Sequence, residues 1–255
     1  MASLFEDGRF IVLFFIVLLR YLIIAAIAFL IFYQLKRQAW HYKKIQLRFP
    51  ISRDYIREIL YSVVTAVIFT LVGYLIFMTP FRTFTKLYTQ VDEYGMSYFF
   101  FSIILMLLIH DTYFYWTHRA MHHPRLFAIF HRVHHLSTNP SPWAAFAFHP
   151  LEAVVEAGII LVLALIMPVH AYSIALFLLF MMIYNVYGHL GYELYPRRFT
   201  KTWLGRWVNT SVNHNQHHQF FKGNYGLYFL WWDRWMGTIR IDYEQAFEEI
   251  KTRKR

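Results

Sequence analysis

The sequence contains no cysteine, and charged residues fill only 16% of its 255 positions, against about 25% in soluble proteins. The first absence excludes disulfides, thiolate clusters and haem-thiolate ligation, so any bound metal must be held through nitrogen and oxygen. The second, beside 58% hydrophobic residues, excludes an ordinary soluble domain and points to a membrane protein. Acidic residues are also few, 15 against 25 Lys and Arg, for a net charge of +10. There is no internal repeat and no low-complexity linker. No small-residue cleavage site follows the first apolar run, which is therefore expected as a retained span.

Residues 10–19 and 21–33 are apolar, interrupted only by Arg20, and further apolar runs cover 61–79, 98–109, 157–167 and 171–187. About 20 helical residues cross a hydrocarbon core. The expected fold is all-α: an integral membrane bundle of about four spanning helices, the last two forming a hairpin, with a histidine-rich helical cap on the cytoplasmic side. The membrane segments are 10–35, 61–79, 98–116 and 152–187, the hairpin turning at Met167 and Pro168, and the cap is 117–150 with 188–240. The whole chain, 1–255, reads as one membrane-embedded catalytic domain.

The charge is unevenly placed, which argues for a membrane rather than nucleic acid as its partner. Residues 36–60 carry seven Lys or Arg against two acids, and residues from 190 onward carry eleven against six. Between them, 80–97 balances Arg82 and Lys86 with Asp92 and Glu93. Basic loops stay in the cytoplasm, which puts 36–60, 117–150 and everything after 187 on that side. The basic tail, Lys251, Arg253, Lys254 and Arg255, and the 36–57 loop suit anionic lipid or an acidic protein.

What the sequence has in quantity is histidine, 14 residues, concentrated in three clusters. They are His118 to His123 (H-x-x-x-H-H), His131 to His135 (H-x-x-H-H) and His214 to His218 (H-x-x-H-H). Positions three and four apart share a helix face, so each spacing aims two or three imidazoles at one point. His123 points about 100 degrees away from His122, and the spacing favours His122. Imidazoles without thiolates suit iron, zinc, copper or nickel. One zinc ion takes about four ligands, so this many histidines imply two metals.

A metal-bound imidazole usually gives its other N–H to an acceptor. Asp111 lies two turns before His118, Glu152 three residues after His149, and Asn185 four before His189, each a candidate acceptor for that histidine. His110 ends an apolar run beside Asp111, where a capping or interfacial role suffices. His41 and His170 stand alone and read as surface loop residues.

Several segments resemble the membrane-bound fatty acid hydroxylase/sterol desaturase superfamily, nearest to its sterol desaturases. Asp111-Thr-Tyr-Phe-Tyr-Trp-Thr-His118-Arg119 is similar to the entry into its first histidine box. Ala147-Phe148-His149-Pro150-Leu151-Glu152 and Gly188-His189-Leu190-Gly191-Tyr192-Glu193 resemble its segments after the second box and before the third. Asn224-Tyr225-Gly226, Trp232-Asp233-Arg234 and Gly237-Thr238 resemble its C-terminal signature. The match runs in order from about 98 to 240. The resemblance implies two non-haem iron ions, with zinc as a substitute in purified protein. It also implies dioxygen as co-substrate and two external electrons that hydroxylate or desaturate a lipid C–H bond. The ligands it implies are His118, His122, His131, His134, His135, His189, His214, His217 and His218, with His149 as an additional ligand or close neighbour. Many relatives have Asp where this chain has Asn215. No haem-binding segment is visible, so the electron donor is expected to be a separate b-type cytochrome, ferredoxin or reductase.

The rival reading is a non-enzymatic, histidine-rich protein that binds or transports zinc. Transport would place ligands near the bilayer midplane, whereas here they cluster at the ends of the expected spans.

Overall fold

In the computed structural model, which describes residues 8–254, the chain forms nine α-helices joined by short 3-10 turns and loops. They are α1 (Gly8–Phe29), α2 (Ser52–Met78), α3 (Gly95–Met121), α4 (Pro124–Phe130), α5 (Pro150–Ile166), α6 (Ala171–Gly188), α7 (Ser211–Phe220), α8 (Trp231–Trp235) and α9 (Tyr243–Thr252). The only strands among the described residues are β1 (Leu87–Tyr88) and β2 (Val169–His170), paired in parallel. Arg255 of the basic tail lies outside the described residues.

Among the described residues four helices are long and apolar enough to cross a membrane: Gly8–Leu35, which continues α1 through one π-helical turn, then α2, α3 and α6. The 17 residues of α5 make a fifth, shorter member, packed against α2 and α3. The sequence placed the second span at 61–79, but α2 starts nine residues earlier. Asp54 starts its first turn, accepting from the Ile51 N–H at 3.2 Å and pairing with Arg57 at 2.8 Å. The lipid face of α1 is a plain apolar stripe: Ile11, Phe15, Leu19, Ile23 and Ile27, four apart, are all exposed. Its opposite face buries Tyr21 and Ala25, and α2 and α5 meet the same core through Ala66 and Ala153. Small residues at these contacts let apolar helices approach closely, which matters in a solvent as apolar as the side chains.

The helices run up and down, so their ends sort into two sets. At one end β1 and β2 join the loop after α2 to the α5–α6 turn. At the other, a bridge between Lys44 and Tyr192 joins the loop after α1 to the segment after α6. All three histidine clusters lie at this second end. Lys44 is fully buried there, its ammonium 5.3 to 5.5 Å from the rings of Tyr33, Phe49 and Tyr192 and 3.3 Å from the Gly191 carbonyl. Burial pulls its pKa down to about 7.

Two expectations change. His170 is not a surface residue: it is buried, caps α6 by accepting from the Tyr172 N–H at 3.2 Å, and its Nε2 donates to the Thr89 carbonyl at 3.0 Å. Two residues of the basic tail are tied down, Lys251 donating to the Glu193 carbonyl at 2.8 Å and Arg253 to that of Lys44. The loop after α1 remains the main basic face.

Because the chain has no cysteine, single introduced cysteines report sidedness cleanly. Gln38→Cys and Gln219→Cys are expected to label from one side of the membrane and Asp92→Cys from the other; labelling of residues 38 and 219 from opposite sides would break this topology. Replacing His170 by Ala is expected to cost about 1 kcal/mol of stability, the usual loss of a helix cap, readable by thermal unfolding in detergent.

Candidate metal centre

The three clusters sit on different local structures. His118 and His122 occupy the last turn and C-cap of α3, while His123 turns away to cap α4, accepting from the Arg125 N–H at 3.3 Å. The second cluster is not one helix. His131 caps the C-terminus of α4, and His134 and His135 lie in a 3-10 turn. The third is on α7, which Thr210 caps by accepting from the Asn213 N–H at 3.2 Å. Phe221, Gly223 and Asn224 then reverse the chain with positive φ. A Cβ on Gly223 would lie 2.6 Å from the Thr238 carbonyl oxygen, so only glycine fits, and its own carbonyl accepts from His217 Nδ1 at 2.8 Å.

Nine histidines converge in two groups. His118, His122, His131, His135 and His217 form one, and His134, His189, His214 and His218 the other, each with ligand atoms within 4.8 Å of one another. His118 and His122 of the first cluster aim at one point as expected, but the second and third clusters each divide between the two groups. In both H-x-x-H-H boxes the first and last histidines, one helical turn apart, enter one group, and the middle one enters the other. Rings of sequence neighbours stand nearly perpendicular, at 90° for His134 and His135 and 86° for His217 and His218. His149 joins neither group: it caps α5, accepting from the Leu151 N–H at 3.3 Å. His110 also stays out, its Nδ1 2.9 Å from the Tyr228 hydroxyl.

Two of the three proposed acceptors, Glu152 and Asp111, have a different partner from the one expected, and the third, Asn185, reaches its histidine through the backbone. Glu152 meets His131 Nδ1 at 2.6 Å rather than His149. Asp111 does not reach His118; its Oδ1 accepts from the Tyr228 and Phe229 N–H groups at 2.8 and 3.1 Å. His118 Nδ1 instead donates to the Tyr225 carbonyl at 2.9 Å. Asp233 fixes that carbonyl by accepting from the Tyr225 and Gly226 N–H groups and the Thr238 hydroxyl at 2.7 to 2.9 Å. Asn185 serves His189 through its backbone carbonyl at 2.8 Å, while its amide donates to Ala145. Asn215 accepts from Gln46 at 2.9 Å and so ties α7 to the loop after α1. Sequence reasoning also missed Glu58, a buried acid on α2 that accepts from Ser137 at 2.7 Å and from Ser141. It pins the loop after the second box, and its only signal was an acid at the edge of an apolar run.

The donor set fits metal. Nδ1 of His118, His189 and His217 each faces a carbonyl oxygen, which can only accept, so each Nε2 is an unprotonated lone pair. The single lone pair of His189 faces the Nε2 atoms of His134, His214 and His218 at 3.1 to 3.2 Å. That of His217 faces His122 and His135 at 3.1 and 3.0 Å. One lone pair cannot accept two or three hydrogen bonds, whereas a cation between the nitrogens satisfies them all. A proton is a poor substitute: burial and neighbouring imidazoles hold His131, His134, His135, His214, His217 and His218 well below the usual histidine range, and burial brings His189 to about 4. Nitrogens about 3 Å apart match neighbouring donors on one ion with metal–nitrogen bonds of about 2.1 Å.

A family model described as fatty acid hydroxylase matches residues 103–238, more than half of the chain and all nine of these histidines. The chain belongs to the fatty acid hydroxylase family. Among curated members, it is 35% identical to a Delta(7)-sterol 5(6)-desaturase of Gibberella zeae over 164 residues, 64% of this chain and 49% of the relative. It is 30% identical to lathosterol oxidase of Homo sapiens over 186 residues, 72% and 60% of the two chains. A Delta(7)-sterol 5(6)-desaturase of Schizosaccharomyces pombe is 31% identical over 179 residues, 70% and 52% of the two. The chain thus spans about half to three-fifths of the length of these family members. No solved structure gives a significant match.

Three replacements separate the roles. Glu152→Ala is expected to weaken metal binding by about 10- to 100-fold, the usual loss when a ligand's orienting partner goes, while Asn185→Ala leaves affinity close to wild type because His189 uses a backbone carbonyl. Asp111→Ala is expected to cost about 1–3 kcal/mol by stranding two buried N–H groups. Metal titration and thermal unfolding distinguish the three. Chelator-treated protein is expected to lose stability as pH falls from about 6.5 toward 4. The unfolded histidines take up protons in that window and the buried ones do not, so acid favours unfolding; a flat unfolding profile across it would contradict this.

Proposed function

We propose that this protein is a membrane-bound non-haem diiron oxygenase. It hydroxylates or desaturates a C–H bond of a sterol or fatty-acyl type lipid, with dioxygen as co-substrate and electrons from a separate donor protein. The observation that carries this reading is the convergence of nine imidazoles, eight of them buried, into two adjacent groups separated from an apolar cavity by the rings of Phe114 and Phe148. Two iron ions held there supply activation of dioxygen and the oxidising power that an unactivated C–H bond requires.

The chain's own residues hold, orient and shield. The five-histidine and four-histidine groups bind one ion each, and Nδ1 acceptors lock the tautomers of His118, His131, His189 and His217. Phe114 and Phe148, packed on His118 and His134, keep water from the side facing the membrane. The basic loop after α1, on the cytoplasmic side by its charge, docks an acidic donor such as a b-type cytochrome, ferredoxin or reductase. Zinc fits the same nitrogen donors and can replace iron in purified protein. Zinc transport is disfavoured, because the groups sit at the helix ends rather than along a path through the bundle.

Lipid analysis of cells with and without the protein is expected to reveal a lipid that gains one oxygen or loses two hydrogens. His134→Ala and His217→Ala, one from each group, are each expected to abolish that change, and metal analysis to give two irons per chain. A single ion, with His214 and His217 dispensable for binding it, would overturn the dinuclear reading.

A further inference from the structure

Six of the eight tryptophans, Trp116, Trp203, Trp207, Trp231, Trp232 and Trp235, gather on one flank of the histidine end, and the metal centre uses none of them. The flank is built from the segment 195–209 and from α8, which are tied together. The Leu230 N–H donates to the Trp207 carbonyl at 2.8 Å, Arg234 Nε donates to the Arg206 carbonyl at 2.6 Å, and Val208 and Phe229 form an antiparallel bridge.

This flank leans on the ends of two membrane helices. On α6 the ring of Tyr187 is 5.7 Å from that of Tyr195, and the Tyr184 hydroxyl donates to the Asn209 carbonyl at 2.7 Å. On α3 Trp116 meets Trp232 edge-on at 5.4 Å, and Trp232 meets Trp235 at 5.5 Å. At 1.5 Å per residue these contacts lie within about 8 Å of the helix ends, the depth of a headgroup layer. Further along, both helices turn apolar faces outward: Leu176, Phe180 and Ile183 on α6, Phe101 and Ile104 on α3.

The side chains of the flank divide by direction. Tyr195 and Phe199 pack inward against a core that includes Val212 and Phe247, whereas Trp203, Leu204 and Trp235 are 81%, 56% and 61% exposed. The core needs none of these three. Residues 196–207 also carry four exposed cations and no acid: Arg197, Arg198, Lys201 and Arg206. Arg198, Lys201 and Arg206 enter none of the ion pairs among the described residues, and Arg197 reaches Glu248 only at 3.8 Å. Tryptophan rings settle at the level of lipid headgroups, and basic clusters beside a span attract anionic lipid. Both features meet here, where the apolar faces of α3 and α6 end.

We propose that this flank lies in the headgroup layer at the histidine end of the bundle and binds anionic phospholipid. Trp203, Leu204 and Trp235 enter the upper acyl region, and Arg197, Arg198, Lys201 and Arg206 pair with lipid phosphates. The bound lipid seats the histidine cap on the bilayer, because this segment runs through Thr210 directly into α7, which carries His214, His217 and His218. The inference needs α3 and α6 to cross the bilayer and is independent of the oxygenase reading.

Because the chain has no cysteine, Leu204→Cys places a single environment-sensitive fluorophore on the flank of the full, metal-loaded protein in phosphatidylcholine nanodiscs. The readout is quenching by a small fraction of lipid with a nitroxide near the top of its acyl chain, offered either as phosphatidylglycerol or as phosphatidylcholine. At residue 204 the anionic quencher is expected to be about threefold or more effective, since basic residues enrich anionic lipid around them. A fluorophore at Leu176→Cys, on the apolar face of α6, is expected to respond to both alike. The preference at residue 204 is expected to vanish when Arg197→Gln, Arg198→Gln, Lys201→Gln and Arg206→Gln are combined. It is also expected to shrink at about 1 M salt, where screening acts within about 3 Å. Unchanged metal content and melting temperature identify a folded variant, and the salt comparison needs no charge replacement. Quenching by neither lipid would put the flank in water as a docking face for a soluble protein, and equal quenching by both would remove the selection of anionic lipid. Either result, or a preference that survives the four replacements, overturns the proposal.

Discussion

Everything at the histidine end of this molecule answers one electrostatic constraint: unprotonated imidazole nitrogens held about 3 Å apart repel unless cations sit between them. Burial denies the rings protons, and the carbonyls of Tyr225, Asn185 and Gly223 deny three of them a choice of tautomer. The surrounding architecture keeps those acceptors in place. Asp233 holds the Tyr225 peptide, Gly223 takes a backbone conformation closed to other residues, and Glu58 fastens the loop that carries the second box. Without metal the arrangement is under stress; with it, the same contacts become a rigid cage.

The bundle and the segments that carry the histidine groups were largely legible in the sequence, because both write strong local signals. Apolar runs with a basic loop between them give spans and their order, and histidine spacing marks the ligand-bearing segments. The hairpin turn at Met167 and Pro168 follows from a proline that cannot continue a helix. Partner assignments were not legible, since those contacts join residues far apart in the chain. Glu152 lies near His149 in sequence but meets His131, and Asp111 is spent on the backbone of Tyr228 and Phe229, 117 and 118 residues away. Backbone acceptors leave no trace in residue type, so the Tyr225 carbonyl was invisible, and Asn185, expected to serve His189, does so through its backbone and not its side chain. His170 misled because a lone histidine carries no sign of whether its loop folds back on another.

The membrane half of the molecule follows a different logic from the cap. Core alanines and an exposed apolar stripe on α1 show helices packed by shape in an apolar solvent. Against that background Arg20 is conspicuous: a guanidinium in the first span, with an unsatisfied nitrogen, pointing at a cavity rather than at lipid.

The crossing of each H-x-x-H-H box between the two groups has a consequence for assembly. His134 shares a turn with His135, and His217 is followed by His218, so a cation captured by one group freezes backbone that the other group also needs. The ordering entropy of the second site is then largely spent by the first. With one ion in each group, as proposed, filling of the two would be cooperative and a half-loaded chain a minority species.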